Sequence, residues 1–183
     1  MKLCKDSQEF LSKCSGIVSS WERDTFGDEQ SCFMEENSIE SPIEQMLNLA
    51  FKTLMKLNFF QEADSDEVNG EMYIVGFNLK PQVSIGNYRV DFVASRHCYP
   101  EVSGQKISEV IIECDSQQFH DRTEKERRYE KIRDRFLQSK GYKIFHYTGK
   151  EIKNDPFKIA AEILSYLTGL STDVLIDYSY IPE

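Results

Sequence analysis

Two short apolar runs with acids set inside them, Arg89-Val-Asp-Phe92 and Val110-Ile-Ile-Glu-Cys-Asp115, constrain this chain more than any other feature. Both read as strands, and strand side chains alternate between faces. Glu113 and Asp115, two residues apart, must therefore point the same way. A return of the chain across the loop around Pro100 and Gly104 would pair the two strands and bring Asp91 alongside. Three acids then converge on one spot of a sheet. Gathering like charges there is costly unless something positive is held among them. A divalent metal is the usual partner, and hard oxygen donors suit Mg2+ or Mn2+. The pattern points towards phosphodiester hydrolysis.

The 183 residues suffice for one core and are short for two. With 40% hydrophobic and 29% charged residues, the composition is that of a soluble globular domain. No apolar run approaches the roughly 20 residues that span a bilayer. The opening Met1-Lys-Leu-Cys-Lys-Asp lacks the apolar segment of a signal peptide. A cytoplasmic protein without a membrane partner is the expectation. The five cysteines are odd in number and include no CxxC pair, which argues against a disulfide framework or zinc ribbon. Cys114 reads as a buried apolar filler on the face opposite the acids.

A formal charge of −9 argues against coating nucleic acid by bulk electrostatics. The distribution is uneven, however. Residues 121–150 hold ten Lys/Arg against five Asp/Glu, whereas residues 1–40 hold four against nine. The positive segment directly follows the acid cluster. There Arg127, Arg128, Lys131 and Arg133 are candidates for contacting a phosphodiester backbone without reading sequence, although a solvated helix face carries many of the same charges.

Along the chain, residues 1–40 read as an acidic accessory segment, partly disordered or helical: a short helix, then a poorly ordered Ser-rich connector. Ser41-Pro-Ile-Glu44 predicts a helix start, with Ser41 as cap, Pro42 in the first position and Glu44 completing a capping box. Ile43, Met46, Leu47, Ala50, Leu54 and Leu57 then recur at helical spacing. Extended segments follow over 72–79 and 82–85, broken near Pro81, and Gly86-Asn87 turns into a strand over 88–94. Residues 96–105 read as loop and 107–114 as strand. A charged helix follows over about 122–139, with Tyr129, Ile132, Phe136 and Leu137 inward and Gly141 ending it. A strand over 142–147 and a helix over 155–167 complete the domain, which spans 41–170 and leaves 171–183 as a tail. The crossover between Glu113 and Tyr142 favours parallel pairing, and the short connection before it favours an antiparallel hairpin. The expected fold is α/β, a mixed sheet flanked by helices on both faces.

The series Ser-Pro-Ile-Glu44, Gln82 to Ile85, Tyr88-Arg-Val-Asp91-Phe, Ile-Ile-Glu113-Cys-Asp115 and Phe119-His120 resembles the PD-(D/E)xK nuclease superfamily. More narrowly it resembles the branch related to very-short-patch-repair endonucleases, found in many bacterial proteins of undefined role. Arg133-Asp134, Leu137, Gly141, the Phe145-His-Tyr strand and Glu151-Ile152 fit the same pattern. The likeness covers residues 41 to 165. It implies a restriction-endonuclease-like αβββαβ core, with Asp91 and Glu113 as the acids that hold the metal. It further implies the backbone carbonyl of Cys114 as an additional ligand and Glu44 as the first-helix glutamate that binds metal directly or through water. Asp115 stands where the wider superfamily has its lysine, a departure that the narrower branch shares. Gln82 matches a polar position near the substrate. His120 is the best candidate for orienting or deprotonating the attacking water, since without a lysine the base near neutral pH must come from elsewhere.

Most of these assignments have a plainer alternative, Glu113 excepted, since nothing structural accounts for an acid between Ile112 and Cys114. Asp91 could merely bridge to Arg89 or Arg133, although its apolar strand favours the metal. Asp115 could cap a turn, His120 a helix, and Glu44 could serve only in the capping box. His97 reads as a loop residue, and His146 as a strand residue that nothing in the sequence turns towards the acids. Three functions follow in order: a Mg2+-dependent endonuclease acting on DNA, a catalytically weak or inactive relative that binds nucleic acid or a partner protein, and a hydrolase or metal-binding domain unrelated to DNA. The sequence does not separate DNA from RNA, and it is compatible with a homodimer or a larger partner complex. The acidity of residues 1–40 would let them shield the basic surface as a nucleic-acid mimic.

Overall fold

Twelve of the sixteen residues of one helix, α3 (Pro42–Leu57), are buried, and the other elements are arranged around it. The structure, a computed structural model, describes residues 3–18, 23–58, 61–62, 74–99, 108–115 and 123–176. Helix α3 is apolar on more than one side. Its Leu47, Leu49, Ala50, Phe51 and Leu54 are fully buried, and so are the polar Asn48 and Thr53. A helix can bury all of its faces only if packed from several directions. Helices α1 (Lys5–Ile17) and α2 (Arg23–Glu36) precede it, and the core that α3 shares includes their Cys14, Phe26 and Met34.

The connector expected over this acidic stretch is therefore a helix. Phe26, Gln30 and Met34 recur every four residues and are buried to 1, 7 and 0% exposure. Exposed acids between them masked this stripe. The expected capping box at the start of α3 does not form, because Ser41 makes no side-chain cap bond and Glu44 is bonded elsewhere.

The sheet runs in the order β1 (Gln61–Glu62), β2 (Ile74–Ile85), β3 (Tyr88–Tyr99), β4 (Ser108–Asp115) and β5 (Lys143–Thr148). Strands β2, β3 and β4 are antiparallel neighbours, while β5 joins β4 in parallel through the crossover helix α4 (Glu124–Ser139). The succession α3-β2-β3-β4-α4-β5 is the αβββαβ core that the sequence led us to expect. Phe77, Leu79, Phe92, Ala94, Val110 and Ile112 belong to the core shared with α3 and with α6 (Pro156–Thr168). A smaller cluster lies on the α4 side, with Val93, Ile111 and Leu137 buried and Phe136 and Ile144 packed against them.

Gly86 explains the β2–β3 turn. Its φ is +61, the conformation that glycine adopts without strain, and Ile85 pairs with Tyr88 across it. Several boundaries differ from expectation. The break foreseen at Pro81 is a local interruption of the ladder at Gln82, and β2 runs through it to Ile85. Strand β3 continues to Tyr99, so His97 lies in a strand rather than a loop. Tyr129 and Ile132, expected on the inner face of α4, are 56 and 42% exposed, although the Tyr129 ring still meets Tyr88 of β3 edge-on at 5.8 Å. The final helix falls within one residue of expectation as α6, while α5 (Gly149–Asn154) before it and a short α7 (Thr172–Leu175) after it were not expected. His120, the loop around Pro100 and Gly104 and the last seven residues of the tail lie outside the described residues.

Candidate active site

Gln82 has a φ of +55 in the middle of β2, a conformation costly for any residue with a Cβ. The β2–β3 ladder pairs Pro81 with Phe92 and Val83 with Val90, and omits the pairing of Gln82 with Asp91 between them. The side chain of Gln82 is tied at both ends. Its Nε2 donates to Glu44 Oε2 at 2.7 Å, and its Oε1 accepts from Arg89 Nε. One amide thus links the first turn of α3 to the strand pair that carries Asp91.

Asp91 lies in β3 and reaches across to β4, where its Oδ2 accepts the backbone N–H of Cys114 at 2.7 Å. Burial raises its pKa above the usual aspartate value, against the pull of that N–H and of Arg133. Glu113 is 6% exposed. Burial pushes its carboxyl up to about 7, although Arg133 bonds it and draws it down. Glu44 rises to about 7 as well, first through burial and then through the charge of Asp91. The charge of Asp91 raises both Glu44 and Glu113, and Glu113 adds to the rise of Glu44, so the three form one electrostatic cluster contributed by α3, β3 and β4.

Arg133, on α4, is the cation that enters this cluster. Its Nη2 donates to Glu113 Oε1 and to the backbone oxygen of Arg89. Its side chain is only 15% exposed. It therefore does not stand with Arg127, Arg128 and Lys131, which are exposed on the same helix. Asp115 follows Glu113 on the same face of β4, as the alternation requires. Its Oδ2 is 3.5 Å from His146 Nδ1. The parallel register sets His146 beside Glu113, and His146 Nε2 lies 3.4 Å from Asp134 Oδ2 on α4. Cys114 points into the opposite core at 8% exposure, as its alternation predicts.

Sequence reasoning singled out Glu44, Gln82, Asp91, Glu113, Cys114 and Asp115, and the fold brings all six to one end of the sheet. It missed the inward turn of Arg133 and the bracketing of His146. The one available signal was that α4 places Arg133 and Asp134 consecutively, four and three residues before the buried Leu137. Among the described residues, no group of three His, Cys, Asp or Glu side chains is already gathered as a metal cage. The donor chemistry nevertheless suits a hard divalent cation, because the charges of these buried carboxylates oppose one another.

A family model described as REase_MTES_1575, of restriction-endonuclease-like type, matches residues 65–167, more than half of the chain. No curated protein and no solved structure matches it. No helix among the described residues is long and apolar enough to cross a membrane.

Proposed function

The chain belongs to the restriction-endonuclease-like family REase_MTES_1575, and from that premise we propose that it is a metal-dependent endonuclease hydrolysing phosphodiester bonds in DNA. The observation that carries this reading is the convergence of Glu44, Asp91 and Glu113, from three elements, with all three carboxyls raised by burial and those of Glu44 and Glu113 raised further by Asp91. A family resemblance alone gives no reaction, whereas buried acids in repulsion have a chemical use.

In this reading Asp91 and Glu113 hold Mg2+ or Mn2+, with the Cys114 carbonyl and Glu44 completing the oxygen donors. The ion, when bound, neutralises charge on the scissile phosphate and acidifies water. The chain's own residues do the rest. The Cys114 N–H fixes one oxygen of Asp91, and the Gln82 amide fixes Glu44, so two of the acids are oriented beforehand. Arg133 keeps Glu113 partly neutralised and is positioned to face a phosphate oxygen once Glu113 is engaged elsewhere. Exposed Arg127, Arg128 and Lys131 meet the DNA backbone. His120 is our candidate for taking the proton of the attacking water. The likeness to the very-short-patch-repair branch rests on the same motifs and belongs to this proposal.

A second reading has an observation of its own. Glu113 is already paired with Arg133 and Asp115 with His146, so the acids are satisfied in part from within. That is what a nuclease fold kept as a nucleic-acid-binding module would show. Supercoiled plasmid, linear duplex and single strands incubated with Mg2+, Mn2+ or chelator decide between them, with Asp91→Ala purified in parallel. Metal-dependent cutting by wild type alone supports the endonuclease. Silence from both proteins, together with an affinity for DNA that falls steeply with salt, supports the module.

A further inference from the structure

Gln82 and Asp91 mark a change of face in the sheet. On β2, Phe77 and Leu79 pack on the α3 side, whereas Val83 and Ile85 pack on the α4 side. On β3, Phe92 and Ala94 pack on the α3 side and Val90 on the α4 side. Residues an even number apart on one strand share a face, so both strands exchange faces at this pair. The left-handed φ of Gln82 and its missing pairing with Asp91 are how the backbone does so. Without the exchange, Arg89 would lie with Val93 on the α4 face. With it, Tyr88 and Val90 take that face, Tyr88 against the Phe136 ring, and Arg89 stands opposite beside Gln82 and Glu44.

Arg89 is exposed, and its charge acts on both Glu44 and Asp91. Among the described residues it nevertheless forms no ion pair with either acid, and its Nε donates to the neutral Gln82 Oε1 instead. A guanidinium has five N–H donors. Those on Nη1 and Nη2 meet no protein acceptor among the described residues. The backbone of Arg89 is fixed from the other side, where its oxygen accepts from Arg133 Nη2 at 3.1 Å. The two arginines therefore divide: Arg133 is turned inward onto Glu113, and Arg89 is held at the rim with its planar pair of amino groups unspent. Such a fork matches two oxygens of a phosphate. We propose that Arg89 contacts the phosphodiester beside the acid cluster, and that Gln82 is the positioning residue that aims it, one amide setting Glu44 and Arg89 side by side. Untied, Arg89 would fall onto the acids and be lost to a ligand. The proposal rests on the reading of the acid cluster as the reaction centre, and it adds a cation apart from the exposed row on α4.

Fluorescence anisotropy of the full-length protein on a short labelled DNA duplex, in chelator and across a series of KCl concentrations, reads the contact without cleavage. Arg89→Gln is expected to weaken binding about tenfold or more and to lower the slope of log K against log salt by about one. A wild-type slope in that variant overturns the phosphate contact. Gln82→Gly accepts the left-handed φ without strain and removes the tether. Its melting temperature is expected to match or exceed that of wild type, while its affinity and salt slope fall as in Arg89→Gln. The double variant should bind no worse than either single one, since aiming and contact are one interaction. Wild-type affinity in Gln82→Gly, or losses that add in the double variant, overturn the aiming role. If the wild-type protein cuts nothing but binds with an Arg89-dependent slope, the nuclease reading falls and the contact stands. A wild-type protein without measurable affinity for the duplex overturns the contact.

Discussion

At the scale of residues, the acids carry a testable signature. Glu44 titrates near 7 in the fold against an ordinary value of 4.5, because burial and Asp91 disfavour its charge. A carboxyl raised on folding binds more protons in the native state than in the unfolded chain across that interval. Its contribution to stability is therefore complete below about pH 4.5 and is lost as the pH rises towards 7. Glu44→Gln removes this loss. Melting temperatures measured from pH 4 to 8 should show the variant gaining on wild type through the window and levelling above it; parallel curves would contradict the assignment. The same acids predict that Mn2+ raises the melting temperature of the wild-type protein, because a ligand bound by the folded state alone stabilises it. Asp91→Asn should abolish most of that rise, and an equal rise in both proteins would remove Asp91 from the metal site.

At the scale of elements, α4 is the one whose placement matters most, since it brings Arg133 and Asp134 to β4. It is also lightly held, with Leu137 its one buried residue. Its N-terminus depends on a complete capping box. The Thr123 hydroxyl accepts from the Glu126 N–H at 3.3 Å, and the Glu126 carboxylate accepts from the Thr123 N–H at 2.7 Å. Thr123→Ala should cost about 1 kcal/mol in urea unfolding. At the other end, Phe136 lies over the Gly86 turn, where an added Cβ would stand 2.8 Å from the Phe136 ring. Gly86→Ala therefore meets both a left-handed φ and a steric clash, and should cost more than 1 kcal/mol, roughly what a misplaced side chain costs at such a position. If Gly86→Ala unfolds at the wild-type urea midpoint, α4 is not seated on that turn.

At the scale of the whole molecule, the helices before residue 40 support the core that carries the site. The Gln45 amide donates to the Ile39 carbonyl at 2.9 Å, Asn48 donates to Gln30 at 3.4 Å, and Lys52 lies over the Phe33 ring. These are buried polar groups of α3, and α2 with its exit turn supplies their partners. Removing those partners would leave each group buried or newly wet at a cost. Phe26, fully enclosed in the same core, should cost about 3–5 kcal/mol when changed to Ala. Removal of residues 1–40 should lower the melting temperature sharply and promote aggregation by uncovering α3. A truncated protein that melts as wild type would show those helices to be dispensable to the core and leave them free to act as an acidic shield.

The sequence by itself determined much that is local. Alternation along Val110–Asp115 put Glu113 and Asp115 on one face and Cys114 on the other, because the side-chain period of a strand is two. Gly86 and Gly141 marked the ends of elements because their φ values, +61 and +92, suit glycine. The order of strands and helices also decided which pairings are parallel. The stripe of α2 was present but hidden, because Phe26, Gln30 and Met34 stand among exposed acids. What only the tertiary structure decided is which cation meets which acid. Arg133 and Glu113 are twenty positions apart, and His146 reaches Asp115 only through the parallel register of β4 and β5. A slip of one residue in that register would turn His146 to the opposite face of the sheet. No local pattern encodes such a choice, since it follows from how α4 and the two strands pack as a whole.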